Sequence, residues 1–190
     1  MGVDISGRNP KIRSAKPEIN WETATQETKD QYWKDLGTWE NENPGDYFRA
    51  NWWSWRPIAM LIEIVNEKHD LGIDTSYFGS NDGAGPEDQE TCTKLADALQ
   101  EVLDKNKNLK EEDDRIFLVM GSWTDLNGRF ISENDLDPVT KEKLPEYGTV
   151  MYSSFIAHDG TVMQPAHSTS KWHLQSFINF LRECGGFEIW

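Results

Sequence analysis

Apolar residues recur along this chain in four stretches with helical spacing and in several short alternating ones. In "TATQETKDQYWKDLGTWENENPG", Tyr32, Leu36 and Trp39 share one helical face, Trp33 lies beside it, and the rest is polar. Thr25 can cap this segment, with Thr28 three residues on, and "NENPG" stops it. A surface helix over about 25 to 40 follows. "PIAMLIEIVNEK" is apolar nearly all round, which predicts the most buried helix, about 57 to 68, with Pro57 at its first position. The clearest helix lies in "GPEDQETCTKLADALQEVLDKNK". Cys92, Leu95, Ala96, Leu99, Val102 and Leu103 form one stripe, Gly85 precedes it, Pro86 fits the first turn, and Glu87 and Asp88 suit the positive end. The last helix spans about Ser170 to Cys184, with Leu174, Phe177, Ile178 and Leu181 on one face and Gly185 as a left-handed stop.

The strand signals are shorter. Val3 to Ser6 reads as a short strand, and "FEIW" at the chain's end is apolar at alternate positions. "RIFLVMGSW" (115 to 123) is apolar and bounded by charge and glycine, and periodicity leaves it open between a strand and a buried helical turn. Asn127-Gly128 and Asp159-Gly160 each sit between β-prone runs and predict hairpins. The expected architecture is one α+β domain over residues 1–190. It has about four main helices and a small antiparallel β element from the 115–165 region. Residues 1–20, with two prolines and two glycines, form an extended N-terminal arm.

Composition narrows the partners. Nineteen Lys and Arg against 33 Asp and Glu leave a net charge of -14, which argues against nucleic acid and against anionic membrane surfaces, and is compatible with a basic protein partner. No apolar run reaches about 18 residues and no signal peptide precedes "MGVDISGRNP", so a cytoplasmic, reducing setting is expected. Two cysteines, Cys92 and Cys184, make no disulfide scaffold and read as small buried residues. The arm carries Arg8, Lys11, Arg13 and Lys16 against Asp4 alone, so it is expected to lie on the acidic body.

One stretch stands out. "YFRANWWSWRP" (47 to 57) holds three tryptophans within four positions, flanked by Arg49 and Arg56. On a helix, Phe48, Trp52 and Trp55 would share one face and Arg49, Trp53 and Arg56 the next, with an indole between two guanidinium planes. Two readings stay open. In one, the arginines cover tryptophan faces and bond carboxylates, with at least two of the indoles buried and Arg56 covered. In the other, Arg49 or Arg56 presents a planar fork to a small anionic ligand, with Asn51 and Trp53 beside it. Asn81 and Asp82, in a glycine-rich loop, join the candidate set if that loop meets the tryptophan segment. His69, His158, His167 and His173 show no metal-ligand spacing, and no nucleophile elbow or acid/base pair stands out, so no metal, cofactor or catalytic set is expected.

The opening "MGVDISGRNP", the block "GDYFRANWWSWRP", the turn "SNDG" and the ending "GGFEIW" resemble a family of small phage and bacterial proteins with no assigned activity. Trp190 departs from that family's small or cysteine ending, and residues 105 to 165 lie outside the resemblance. The resemblance implies a phage or prophage source. A non-catalytic binding or accessory protein is the leading expectation. An acidic nucleic-acid mimic aimed at a host defence protein, using "EEDD" (111 to 114), "ENDLD" (133 to 137) and Glu87, Asp88 and Glu90, is a second. An enzyme binding a small anion or nucleotide through the Trp/Arg segment is a third.

Overall fold

The computed structural model describes residues 2–80, 83, 85–104, 115–125, 130–131, 150–151, 155–156 and 162–190. Among these lie four helices and two antiparallel sheets, an α+β arrangement.

The first sheet gathers three distant pieces of chain. β1 (Gly2–Gly7) is its centre, flanked by β2 (Tyr47–Asn51) and by a C-terminal strand, Phe187–Ile189 (β8 below). The two-residue period of a strand explains why: Val3 and Ile5, Phe48 and Ala50, and Phe187 and Ile189 all point to one buried side. Ile5 lies opposite both Phe48 and Ile189. Sequence periodicity identified β1 and the C-terminal strand, and left "YFRAN" unassigned apart from what a helical backbone would imply there. Alternation of exposed Tyr47, Arg49 and Asn51 with buried Phe48 and Ala50 decides the matter.

Three helices close the buried side. α1 (Gln26–Glu42) stays at the surface, capped by the Thr25 hydroxyl accepting from Thr28 N–H at 3.2 Å as expected. α2 (Trp52–His69) begins five residues before the expected start. Asn51 caps it, its side chain accepting from Ser54 N–H at 2.9 Å, so Pro57 sits inside the helix rather than at its head. A strong cap and a buried Trp55 one turn in outweigh the single backbone bond that Pro57 forgoes. α3 (Gln89–Asp104) starts later than Pro86, because the Asp88 side chain accepts from Thr91 N–H at 2.8 Å and so caps it. The expected stripe is buried from Cys92 to Leu99, with Val102 and Leu103 partly covered. The second sheet comprises β3 (Arg115–Asp125), β4 (Phe130–Ile131), β5 (Val150–Met151), β6 (Phe155–Ile156) and β7 (Val162–Ser170). Residues 115–123 are therefore strand. β3 pairs with β4, and β6 with β7, as the two hairpins require, while both turns lie outside the described residues. α4 (Lys171–Leu181) runs from the Ser170 cap with Leu174, Phe177, Ile178 and Leu181 buried. Gly185 turns left-handed at φ 64° before β8 (Phe187–Ile189).

At the centre of the core is Trp55. Its ring is fully buried, meets Phe177 edge-on at 5.6 Å, and donates its indole N–H to the Phe78 carbonyl at 2.7 Å. The expectation of two buried indoles holds for one: Trp52 is only partly covered and Trp53 is 68% exposed. Trp55→Phe keeps an aromatic ring but orphans the buried Phe78 carbonyl and leaves a void, and should cost about 2–3 kcal/mol. Denaturant unfolding followed by circular dichroism reads this directly.

The arm lies on acidic surface as its charges suggest. Lys11 donates its backbone N–H to the Glu183 carbonyl, Arg13 forks onto the Glu183 carboxylate, and Lys16 pairs with Asp46 at 3.0 Å. Lys16 also sits 4.8 Å over the Trp39 ring, whose N–H donates to the Ser14 carbonyl at 2.8 Å. Gly45 allows this close weave, since a Cβ there would come 2.2 Å from the Glu183 carbonyl oxygen. The hydrogen bond from Arg13 holds the Glu183 carboxyl below its ordinary value of 4.5. A depressed folded pKa stabilises above the unfolded value and is lost as pH falls through the folded one. Amide exchange at Lys11 should therefore accelerate as pH drops below about 4.5 relative to neighbouring α1 amides, and Glu183→Gln should flatten that dependence.

Candidate functional site

An open groove of about 520 Å³ runs between β2, the end of α1 and the start of α4. Glu40, Asn43, Asp46, Tyr47, Phe48, Arg49, Trp172, His173 and Ser176 line it. Each element aims its contribution for a local reason. The β2 alternation buries Phe48 and turns Tyr47 and Arg49 outward. The Ser170 cap starts α4 so that His173 leans inward against the Phe48 ring at 5.0 Å while Trp172, one position earlier, projects into solvent at 72% exposure.

Tyr47 and His173 are both uncharged at neutral pH. The Tyr47 hydroxyl donates to the Asp4 carboxylate across the sheet. Burial, reinforced by that bond, pushes its pKa up to about 12 and keeps it protonated. The Arg49 guanidinium stands 3.6 Å from the same carboxylate and is largely exposed. Burial lowers the His173 pKa from its ordinary 6.5, and its Nε2 is enclosed with no hydrogen-bond partner among the described residues. The ring is therefore neutral, a flat half-buried surface rather than a charge.

The structure distributes the sequence candidates unevenly. Arg49 lines the groove. Asn51 is the cap of α2, and its side-chain oxygen is committed to Ser54. Arg56 lies 5.6 Å over Trp52, one helical turn before it, and Arg49 belongs to a strand, so no helical face joins Arg49 to Trp53 and Arg56. It is also exposed, not covered, and among the described residues no carboxylate pairs with it. Trp53 is on the surface of α2. Asn81 and Asp82 lie outside the described residues. The one-sided sandwich of Trp53 between Arg49 and Arg56 is thus replaced by two separate places. For the acidic rows, 111–114 and 133–137 lie outside the described residues, while Asp88 is tied to Thr91 and Glu90 to Lys94. No cluster of three or more His, Cys, Asp or Glu placed to hold a metal occurs among the described residues. No described helix is long and apolar enough to cross a membrane.

Sequence reasoning missed Tyr47, Trp172, His173 and Ser176. The available signal was Trp172, an indole on the polar side of a helix whose apolar stripe is Leu174, Phe177, Ile178 and Leu181. Comparison with protein-family models, with curated proteins and with solved structures gives no match.

The neutral His173 carries a pH consequence. Its folded pKa is lowered, so the unfolded chain takes up a proton first and stability declines as pH falls below about 6.5. Acid unfolding monitored between pH 7 and 5 should show this loss in the wild type, and His173→Phe should remove it.

Proposed function

We propose that this chain is a non-catalytic binding protein, of the phage or prophage origin its resemblance implies, and that it holds a basic protein partner in the groove between β2 and α4. The observation that carries this reading is the groove itself. It is an open concavity of about 520 Å³ with an indole left 72% exposed on its wall. Exposing an indole forgoes a large burial free energy, and a partner that covers Trp172 recovers it. Tryptophan in a partly desolvated pocket is a common anchor of protein interfaces.

The chemistry of the lining favours holding over reacting. General acid/base work wants a pKa near the working pH. Here Tyr47 is moved well above neutrality and His173 below its ordinary value, so neither changes charge around pH 7. Glu40 adds negative charge, Asp46 shares its charge with Lys16, and the net charge of -14 steers a basic partner toward any open face. Arg49 is shared with Asp4, which reduces its pull on a small anion. That favours a basic polypeptide over phosphate or nucleotide.

Thermal unfolding tests the reading with oligolysine, inorganic phosphate and a nucleoside triphosphate added in turn at low salt. A ligand held only by the native state at a hundred times its Kd stabilises by about 2.7 kcal/mol, so Tm should rise with oligolysine. Trp172→Ala should leave the ligand-free stability within about 0.5 kcal/mol, as expected of an exposed side chain, and should abolish most of the rise. An unchanged rise in Trp172→Ala, or no rise with any of the three, overturns the reading.

A further inference from the structure

The two edges of the first sheet are treated differently. The outer edge of β8 is covered: Phe187 N–H donates to the Pro86 carbonyl at 2.9 Å, Ile189 N–H to the Gly83 carbonyl at 2.8 Å, and Gly85 N–H to the Phe187 carbonyl at 3.2 Å. The segment carrying Gly83, Gly85 and Pro86 thus satisfies that edge. Among the described residues nothing pairs with the outer edge of β2, and Tyr47 and Arg49 on this strand line the groove.

The register says which groups are free. Gly7 donates to the Asp46 carbonyl at 3.0 Å. Counting from there, Ile5 with Phe48 and Val3 with Ala50 are the hydrogen-bonded pairs of β1 and β2. The phase is confirmed on the other side of β1, where Asp4 and Trp190 exchange both backbone bonds, at 3.3 and 2.8 Å. Tyr47 and Arg49 therefore turn their backbone N–H and C=O groups outward. Among the described residues no hydrogen bond reaches them. No proline or bulge blunts this strand, whose guards are its five-residue length and the exposed Arg49 charge, offset by Asp4.

We infer that the free edge of β2 is a docking strand, which an extended basic segment of a partner protein extends as a fourth strand, with Trp172 covering its apolar side chains. This rests on the groove reading above and names how the partner is held. An added strand takes its affinity from main-chain bonds and its selectivity from alternate side chains. Side chains on the α4 side meet Trp172 and the neutral His173 ring, which suits apolar residues. Those between lie on the face of Tyr47 and Arg49, where the Asp4 carboxylate offsets the Arg49 charge and the chain's net charge of -14 favours lysine or arginine. A second copy of this chain would bring another charge of -14 to the same edge, and like-charge repulsion opposes that pairing.

The test uses a blocked alternating Lys–Val peptide of about eight residues, its Glu–Val counterpart, and two N-methylated forms. One form is methylated at every valine amide, the other at every lysine amide. Amide exchange of the full chain is followed by NMR. The Lys–Val peptide should slow exchange at Tyr47 and Arg49 at least about tenfold and leave Phe48 and Ala50, already paired with β1, unchanged. One of the N-methylated forms should bind at least about tenfold more weakly, having lost the amides that face β2. Arg49→Pro removes an outward N–H and the exposed ion pair to Asp4 without touching a backbone bond to β1, and should cause a similar loss. Should that variant fold poorly, the N-methylated peptides on the unchanged chain still decide.

Several outcomes overturn the inference. Equal binding by both N-methylated forms, or equal protection by the Glu–Val peptide, does so. A Trp172-dependent rise in Tm without protection of Tyr47 and Arg49 overturns the docking strand but leaves the groove reading standing. Neither a rise nor protection removes both. Amides already protected without peptide, in a chain that sediments as a dimer, would assign the edge to a second copy instead.

Discussion

Val3 and Ile5 hold the molecule together from its head. β1 is paired on one side by β2 and on the other by β8, so the first residues of the chain close a sheet with its middle and its last residues. The buried side of that sheet is the roof over α2 and α4, where Phe48 meets Phe177 at 5.0 Å and Phe187 meets Phe177 at 6.1 Å. Such pairings are far apart in sequence, and their loop-closure entropy must be met before they stabilise anything. The molecule offsets this with a zip that continues past β1. Arg8 donates to the Gly186 carbonyl, Asn9 to Cys184 and Lys11 to Glu183, and Arg13 then forks onto the Glu183 side chain. The basic arm is thus the extension of a central strand, and its charges match the acidic surface it crosses.

The same central strand explains what could be read from sequence. The helices were legible wherever their signal was local. The Thr25 cap, the Cys92-to-Leu99 stripe and the left-handed Gly185 each depend on residues within a turn of one another. β1 and β8 were legible as strands, but nothing local says that they neighbour each other. The strand in "YFRAN" was passed over because tryptophans at 52, 53 and 55 draw the eye to a helical repeat that starts only after Asn51. Its two-residue alternation was present, and it gains meaning only with β1 beside it. The late start of α3 has a similar cause, since Pro86 and Gly85 give their backbone groups to β8 and are not available to a helix.

The candidate site was legible only in part for the same reason. Arg49 was singled out by its setting among aromatics, and it does line the groove. Its supposed companions do not, because Asn51 is consumed by a cap and Arg56 by the Trp52 face. The residues that join Arg49 come from α4, far along the chain, and only the packing of Phe48 on His173 and Phe177 brings them there. Trp172 alone carried a local hint, as an indole on the wrong side of an amphipathic helix.

The unequal edges of the sheet follow from where its strands begin and end. β8 follows the Gly185–Gly186 turn, and its outer edge is bonded to the backbone of Gly83, Gly85 and Pro86 that leads into α3. β2 passes directly into α2 through the Asn51 cap, and among the described residues no strand pairs with its outer edge. The nearest element, α4, is held off by the ring of His173 against Phe48, so it forms a wall and not a partner strand. A helix cannot satisfy strand amides laterally, because its own N–H and C=O groups point along its axis. The groove and the unpaired edge are therefore one feature. The His173 ring packs α4 against Phe48, the residue between Tyr47 and Arg49, and so brings Trp172 to the same groove that those two residues line.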